Sequence, residues 1–343
     1  MRFLHVITIL LTYLLCSFSL ADEIKIFTWE DNFSPKVISD FEKQSGHTIK
    51  QIYFDSEMLR DQVVYTNKAN VYDLFVVDNL TLEVLIAKGI VSELANSLLG
   101  DSSNFRADAN TACGKYGIPQ AFGSMGIGYR SSKVSKPLTS WMDVFEYAKQ
   151  VPGSVIIPNE NIDTTAIALM ALGYKPMSTN ESELKEAYQL LNSVITNLLA
   201  FRNGFGYAMD KGKESKAEVM VFYSGEKENI EKVTEQDDWV YTIPNEGTLL
   251  WHECLSSHRD KPMNQATIDF VKFINTPNNA IKNAQEFWFA TPNKAALKLA
   301  SDDYRNDQEL FPTNLSVDRS FHYERLDKAT LNTRSKIISV LSK

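Results

Sequence analysis

The chain alternates between strand and helix patterns near its N-terminus, and this alternation constrains its fold more than any other feature. Residues 23–29 (EIKIFTW) predict a strand, and a helix follows with Ser34 as its N-cap and Pro35 at its first position. A second strand and helix lead to residues 72–77 (YDLFVV), a nearly continuous apolar run typical of a strand buried in a parallel sheet. This β-α-β-α-β-α order predicts a doubly wound α/β sheet.

The rest of the chain repeats this alternation, and a length of 343 residues favours two domains over one. The glycine-rich residues 113–129 predict strands with tight turns that cross between the domains. A long helix is predicted over residues 181–199. We expect an N-terminal lobe of residues 22–128 plus 252–297 and a C-terminal lobe of residues 129–251 plus 298–343.

The first residues are typical of a secretion signal. Arg2 provides the positive end, residues 6–15 are apolar, and Ser19 to Ala21 supply small residues for cleavage. The apolar run is too short to span a bilayer comfortably. We expect cleavage near Ala21 (signal peptide, residues 1–21) and a soluble product in the periplasm.

Removal of the signal leaves Cys113 and Cys254. In an oxidising compartment these two residues are compatible with a disulfide or with two buried thiols. The histidines lack zinc-site spacing, so no metal is expected. A formal net charge of -8 argues against nucleic acid as a partner and is compatible with cationic ligands.

Trp251 and Glu253 are two residues apart on a predicted strand, so their side chains share a face. An indole ring beside a carboxylate is a suitable pair for an organic cation. The alternative is an edge-strand tryptophan next to a solvated acid.

Aromatic and acidic residues also follow other predicted strands. Ligands of open α/β sheets bind beyond the carboxyl ends of the strands, and the candidates there are Trp29, Asp31, Asp78, Glu160, Asp163, Tyr223, Trp251 and Glu253. These strand ends carry no lysine or arginine, and the sequence has no dinucleotide or P-loop glycine motif and no nucleophile elbow. The pattern therefore predicts an organic polycation as the ligand.

Several short motifs follow one another along the chain: Phe27-Thr28-Trp29, Tyr72-Asp73-Leu74, Tyr116-Gly117-Ile118-Pro119, Leu172-Gly173-Tyr174, Trp251-x-Glu253 and Thr291-Pro292-Asn293. Their order and spacing resemble the periplasmic polyamine-binding proteins of bacterial ABC importers, the spermidine and putrescine receptors. The resemblance covers nearly the whole mature chain. It implies two α/β lobes joined by hinge strands, with a cleft that closes on the ligand and no cofactor.

The resemblance also implies roles for individual residues. Trp29 would form an aromatic wall and Asp31 would bind one amine, while Trp251 and Glu253 would grip the middle amine.

The resemblance extends to further positions. Glu160 and Asp163 match an acid pair, Tyr223 stands at a position usually held by tryptophan, and Phe289 stands at a tyrosine position. Tyr323 is a looser match.

The chain departs from the family pattern at a few positions. Asp78 stands where a small hydroxyl residue is usual, and Asn32 and Leu80 stand where aromatic residues are common. A related norspermidine sensor of vibrios passes its signal to a membrane-bound cyclic-di-GMP enzyme that controls biofilm formation. The departures favour this sensor group slightly over the import group.

Structural roles compete with these assignments. Trp29 fits a core position, Asp78 fits the N-cap of the next helix, and Glu160 with Asp163 fits an acidic helix N-terminus. Tyr223 and Phe289 are residue types that more often pack than bind ligand.

The leading hypothesis is a monomeric binding protein without catalytic activity that presents a polyamine to a membrane-bound permease or sensor. The alternatives are a secreted hydrolase with Glu160 and Glu253 as a carboxylate pair, and a ferric-ion receptor of the same fold.

Overall fold

The computed structural model describes residues 21–30, 32–54, 57–94, 98, 102–261, 263–312 and 319–343. The predicted signal peptide, apart from Ala21, and the predicted site residue Asp31 lie outside these residues.

The strands alternate with helices in the order that the sequence predicts. They are β1 (Glu23–Trp29), β2 (Thr48–Phe54), β3 (Leu74–Asp78), β4 (Ile118–Arg130), β5 (Val155–Ile157), β6 (Ala200–Phe201), β7 (Val219–Tyr223), β8 (Trp239–Thr242), β9 (Leu249–Ser256) and β10 (Phe321–His322).

The helices cover the faces of the sheet. They are α1 (Pro35–Ser45), α2 (Glu57–Val64), α3 (Asn79–Ala87), α4 (Ala107–Cys113), α5 (Trp141–Gln150), α6 (Asp163–Ala171), α7 (Glu181–Asn192), α8 (Gly204–Lys211), α9 (Lys227–Thr234), α10 (Gln265–Ile274), α11 (Pro277–Phe287), α12 (Lys294–Leu297), α13 (Asp302–Arg305) and α14 (Lys328–Leu341).

The termini of α1 agree with the predicted capping. The Ser34 side chain accepts a hydrogen bond from the Val37 N–H, and Gly46 ends the helix in the left-handed conformation. Helix α7 is shorter than predicted and ends at Asn192. Val194, two residues later, is fully buried in the core.

Two half-sheets share the long strand β4. The strand order is β2-β1-β3-β9-β4-β7-β5-β6, with β10 beside β9 and β8 beside β4. The first part of β4 pairs with β9, and its second part pairs with β7 and β8. We call the strands on the β9 side the first half-sheet and those on the β7 side the second. The carboxyl ends of β1, β3, β5 and β7 carry most of the predicted site residues.

The predicted tight turn occurs at residues 114–116, directly after α4. Residues 118–129 belong to one continuous strand, β4, with a register shift near Ala121. Its glycines make room for aromatic rings instead. A Cβ at Gly123, Gly126 or Gly128 would overlap Trp251, Tyr241 or Phe222 respectively. Closely packed rings on β7, β8 and β9 therefore require glycine on the strand that passes between the half-sheets.

Each half-sheet has its own hydrophobic core on both faces. Buried residues from α1 and α10, and others that include Cys113 and Cys254, cover the first half-sheet. Residues from α5, α6, α7 and α14 cover one face of the second half-sheet, and residues from α8 and α9 cover the other.

Cys113 at the end of α4 and Cys254 on β9 form a disulfide, with their Cα atoms 5.6 Å apart. Of the two alternatives that the sequence leaves open, the structure has the bridge. It closes a sequence separation of 141 residues, and the chain-entropy model assigns a loop of that length a stabilisation of about 5 kcal/mol. The bridge anchors β9 next to Glu253.

Candidate ligand-binding site

Carboxylates from both half-sheets influence one another electrostatically in one region of the molecule. We call these residues the acidic cluster: Glu57, Asp61, Asp78, Glu160, Asp163 and Glu253. Asp78 acts on Glu57, on Glu253 and on Asp163, so it links the two half-sheets. The cluster lies beyond the carboxyl ends of the parallel strands, where an open α/β sheet binds its ligand.

Trp251 and Glu253 are half-buried on the same face of β9, while His252 between them is buried on the opposite face. Trp251 lies directly across from Gly123 on β4, which allows its ring to lie over the backbone at the junction of the half-sheets. The arrangement matches the shared face that the two-residue spacing predicts.

Glu253 is held by neighbours from the end of β1. The Asn32 Nδ2 donates to the Glu253 Oε2 at 3.3 Å. Burial raises the pKa of Glu253 to about 7, and Asp78 adds to the rise, although Arg60 and hydrogen bonds from Trp29 and Asn32 oppose it. Trp29 also packs edge-on against Phe54, with ring centroids 4.4 Å apart, so it combines a core contact with a contact to the cluster.

Asp78 caps a helix, as its structural alternative predicts, and also pairs with an arginine. Its Oδ1 accepts from the Thr81 N–H at 2.8 Å, at the start of α3. Its Oδ2 lies 2.6 Å from the Arg60 Nη2. The strand ends carry no basic residue, but Arg60 reaches the cluster from α2.

Glu57 opens α2 one turn before Arg60. Its Oε1 lies 3.7 Å from the Arg60 Nη1. Although much of the side chain is open to water, the surrounding protein partly desolvates its carboxyl, and this effect with the nearby Asp78 raises its pKa to about 8. Asp163 on the second half-sheet also raises the pKa of Glu57, so carboxylates of both half-sheets act on Glu57.

Asp163 is the buried acid of the second half-sheet. It opens α6, and its side chain accepts hydrogen bonds from the Tyr223 hydroxyl and, at 2.8 Å, from the Tyr323 hydroxyl. Burial raises the pKa of Asp163, and the two tyrosine hydrogen bonds oppose the rise. Glu160 is surface-exposed three residues earlier. Partial desolvation of its carboxyl by the surrounding protein, together with Asp163, raises the pKa of Glu160 as well.

Comparison with known proteins identifies the family. Residues 36–313 match the family described as bacterial extracellular solute-binding protein. The chain belongs to this family. The solute-binding protein also has distant relatives at 25% identity. One is the norspermidine sensor of Vibrio cholerae, aligned over 94% of this chain and 90% of that protein. Another is the spermidine/putrescine-binding periplasmic protein of Escherichia coli, over 83% and 82%.

The fold agrees with this membership. The substrate-binding protein PotD of a spermidine/putrescine ABC transporter from Streptococcus pneumoniae superposes with a TM-score of 0.81 at 20% identity, over 94% of this chain and 99% of that one. The solute-binding protein therefore has the two-lobed α/β fold that the resemblance implies.

Phe289 is half-buried two residues past the end of α11. It packs in a separate hydrophobic group with Ile281 and Ala284. It also lines a cavity of about 20 Å³ with Pro119 and Asn283. Its ligand contact stays a prediction, and packing is the role that the structure shows.

The sequence reasoning missed Glu57 and Arg60 and gave Tyr323 only a minor role. The sequence predicts a helix over residues 58–64, one residue short of Glu57, whereas α2 starts at Glu57. The spacing of three residues between Glu57 and Arg60 places both on one helix face, and this spacing was the available signal. Tyr323 is 160 residues from Asp163 in sequence, so strand order alone gave no reason to bring the two together.

Within the described ranges, no group of three or more His, Cys, Asp or Glu residues has the arrangement to hold a metal ion. No helix in the same ranges is long and apolar enough to cross a membrane.

Proposed function

We propose that this solute-binding protein is a periplasmic receptor for polyamines, which it binds between its lobes. The observation that carries the proposal is the acidic cluster itself, in which Arg60 is the basic residue paired with several carboxylates. Fixed carboxylates attract a cation, and aromatic rings beside them pack on methylene groups and face the charge.

The donors of Arg60 are already bonded to Asp61, Asp78 and Thr81. This favours a ligand with ammonium groups only, because an amino-acid carboxylate would need a basic partner that is not already engaged. Trp29, Tyr223 and Trp251 provide the aromatic surfaces around the acids.

The names of the relatives agree with this chemistry, since both a norspermidine sensor and a spermidine/putrescine-binding protein align with most of the chain. We propose that a signal peptide ending near Ala21 directs the protein to the periplasm and that it acts there as a monomer without catalytic activity. Ligand would stabilise the closed lobes, and a membrane-bound permease or sensor would recognise that closed form. The lobe boundaries given above belong to the same proposal.

Isothermal titration of the mature protein with putrescine, spermidine, norspermidine and spermine tests the proposal. We expect binding of at least one amine, and Trp251→Ala and Glu253→Ala should each weaken it by about tenfold or more, because a charged hydrogen bond or a ring face contributes about 1–3 kcal/mol. Glu218→Ala is a matched control, since Glu218 accepts a hydrogen bond from Tyr147 outside the acidic cluster. Absence of heat with every amine, from folded ligand-free protein, would remove the function.

A preference for norspermidine among the four amines favours a sensor over an import receptor. Unchanged affinity in both alanine variants would place the ligand elsewhere while leaving polyamine binding intact.

A further inference from the structure

Arg60 is a permanent cation inside the acidic cluster, and it is built into the fold. Its side chain is only 2% exposed. Its Nη2 donates to the Thr81 Oγ1 at 2.7 Å and lies 2.6 Å from the Asp78 Oδ2. Its Nε donates to the Asp61 Oδ1 at 2.9 Å. These bonds fix the guanidinium in position between α2 and the end of β3.

Arg60 divides the carboxylates of the cluster into two groups. Asp61 and Asp78 bond directly to the guanidinium, whereas Glu57 is 3.7 Å from it. Glu160 and Asp163 belong to the other half-sheet, and Asp163 bonds to tyrosine hydroxyls. The other four described carboxylates of the cluster are therefore the candidates to pair with ammonium groups of a ligand: Glu57, Glu160, Asp163 and Glu253.

The charge of Arg60 also acts on Glu253, whose ionisation it favours. A cation that stabilises the charged form of a carboxylate repels any second cation brought to the same carboxylate. The charge of Arg60 therefore repels an ammonium group bound at Glu253. The total repulsion between Arg60 and a polyamine grows with the number of ammonium groups that the polyamine carries.

We propose that Arg60 is a specificity-determining residue whose fixed guanidinium occupies the place of one ammonium group and biases the site against the most highly charged polyamines. This inference rests on the proposed function. It predicts that the preference for a diamine or triamine over a tetraamine is stronger in the native site than in a site with the same carboxylates and no Arg60 charge. It also explains why Asp78, an acid where the resembled family has a small hydroxyl residue, does not add an ammonium subsite.

A purely structural role for Arg60 makes a different prediction. If the arginine only holds α2 against β3, its loss weakens every ligand by the same factor. If its charge sets specificity, its loss changes the affinities by factors that increase with ligand charge. The relative affinity of tetraamine and diamine separates these roles, whatever happens to affinity as a whole.

The test is titration of wild type and Arg60→Gln with putrescine, spermidine and spermine at about pH 8, where Glu253, whose pKa is about 7, is mostly ionised. We expect the ratio of spermine to putrescine affinity to rise about tenfold in Arg60→Gln, because a dication loses less repulsion than a tetracation. Arg60→Lys keeps the charge but not the guanidinium fork and should keep the wild-type ratio.

Arg130→Gln is the matched control, because Arg130 pairs with Asp238 outside the cluster and its removal changes the net charge equally. Its ratio should equal that of wild type. If Arg60→Gln does not fold, the same comparison is made between Asp78→Asn and the double variant Arg60→Gln/Asp78→Asn. These two proteins differ only at residue 60, and neither leaves Asp78 as an unpaired acid. An unchanged ratio in these comparisons overturns the inference. Wild type that binds no amine instead overturns the proposed function.

Discussion

Asp78 and Glu253 lie directly opposite each other on the antiparallel strands β3 and β9. Like charges at such positions destabilise a sheet. Arg60 compensates Asp78 at 2.6 Å, whereas burial and Asp78 raise the pKa of Glu253 to about 7. The site without ligand therefore holds a proton at Glu253 in part of the molecules near neutral pH, and a bound ammonium group would replace it.

This replacement predicts that polyamine binding releases protons. A cation at Glu253 lowers its pKa, so affinity should increase as pH rises and the competing proton leaves. From the value of about 7, Glu253 alone should give roughly a tenfold gain in spermidine affinity between about pH 6 and about pH 8. Titration calorimetry in buffers with different ionisation heats measures both the gain and the protons released.

Glu253→Gln should reduce the gain and the proton release together, and Glu218→Gln, outside the cluster, should leave both unchanged. The same protonation affects the stability of the ligand-free protein. Because the folded pKa of about 7 is above the ordinary value of 4.5, the stabilising contribution is present at low pH and is lost as pH rises through about 7. Affinity that does not vary with pH would contradict the assignment of Glu253 to the ligand.

The strand–helix order was predictable because its signals are local. The N-cap at Ser34, the left-handed Gly46 and the apolar run before Asp78 are read from neighbouring residues. The placement of Trp251 and Glu253 on one face follows from strand periodicity in the same way.

The features that could not be predicted depend on tertiary contacts. Arg60 reaches the cluster from a helix, and the Tyr323 hydroxyl bonds to Asp163 across a separation of 160 residues. The glycines of β4 suggested turns because glycine is common in turns, and only the rings of neighbouring strands reveal that they provide space. Phe289 was placed by resemblance alone, and the structure packs it in a separate hydrophobic group.

Removal of the Tyr223 and Tyr323 hydroxyls should weaken the binding of an ammonium group at Asp163. Tyr223 and Tyr323 both donate to Asp163, which is 6% exposed. Without these donors the buried carboxylate is less stable in its charged form, so its pKa rises further and it binds a cation less well near neutral pH.

The variant Tyr223→Phe/Tyr323→Phe should therefore lose about tenfold or more in polyamine affinity, as expected from two hydrogen bonds to a charged group. Titration at two pH values should show a smaller loss at the higher pH, where more of Asp163 is ionised. The control is Tyr147→Phe, which removes a tyrosine–carboxylate hydrogen bond to Glu218 elsewhere. Equal losses at both pH values would argue for an effect on packing and against one on the charge of Asp163.

Gly123 sets the position of Trp251, and its substitution should weaken ligand binding without adding or removing a charge. A Cβ at Gly123 would overlap the Trp251 ring and lie 2.5 Å from the Ser224 Oγ. Both neighbours are constrained, since Trp251 belongs to β9 and the Ser224 Oγ accepts from the Ser124 N–H at 3.1 Å. Gly123→Ala therefore has to displace the indole or spread the strands.

We expect Gly123→Ala to reduce polyamine affinity about tenfold or more, approaching the effect of Trp251→Ala, because the misplaced ring no longer packs on the ligand. Combination of the two substitutions should cost much less than the sum of their separate effects, since they act through one side chain. Gly206→Ala on α8 is the control, because its Cβ would meet its neighbours at ordinary distances of 3.5 Å or more. Fully additive losses would show that Gly123 acts on the junction of the half-sheets independently of Trp251.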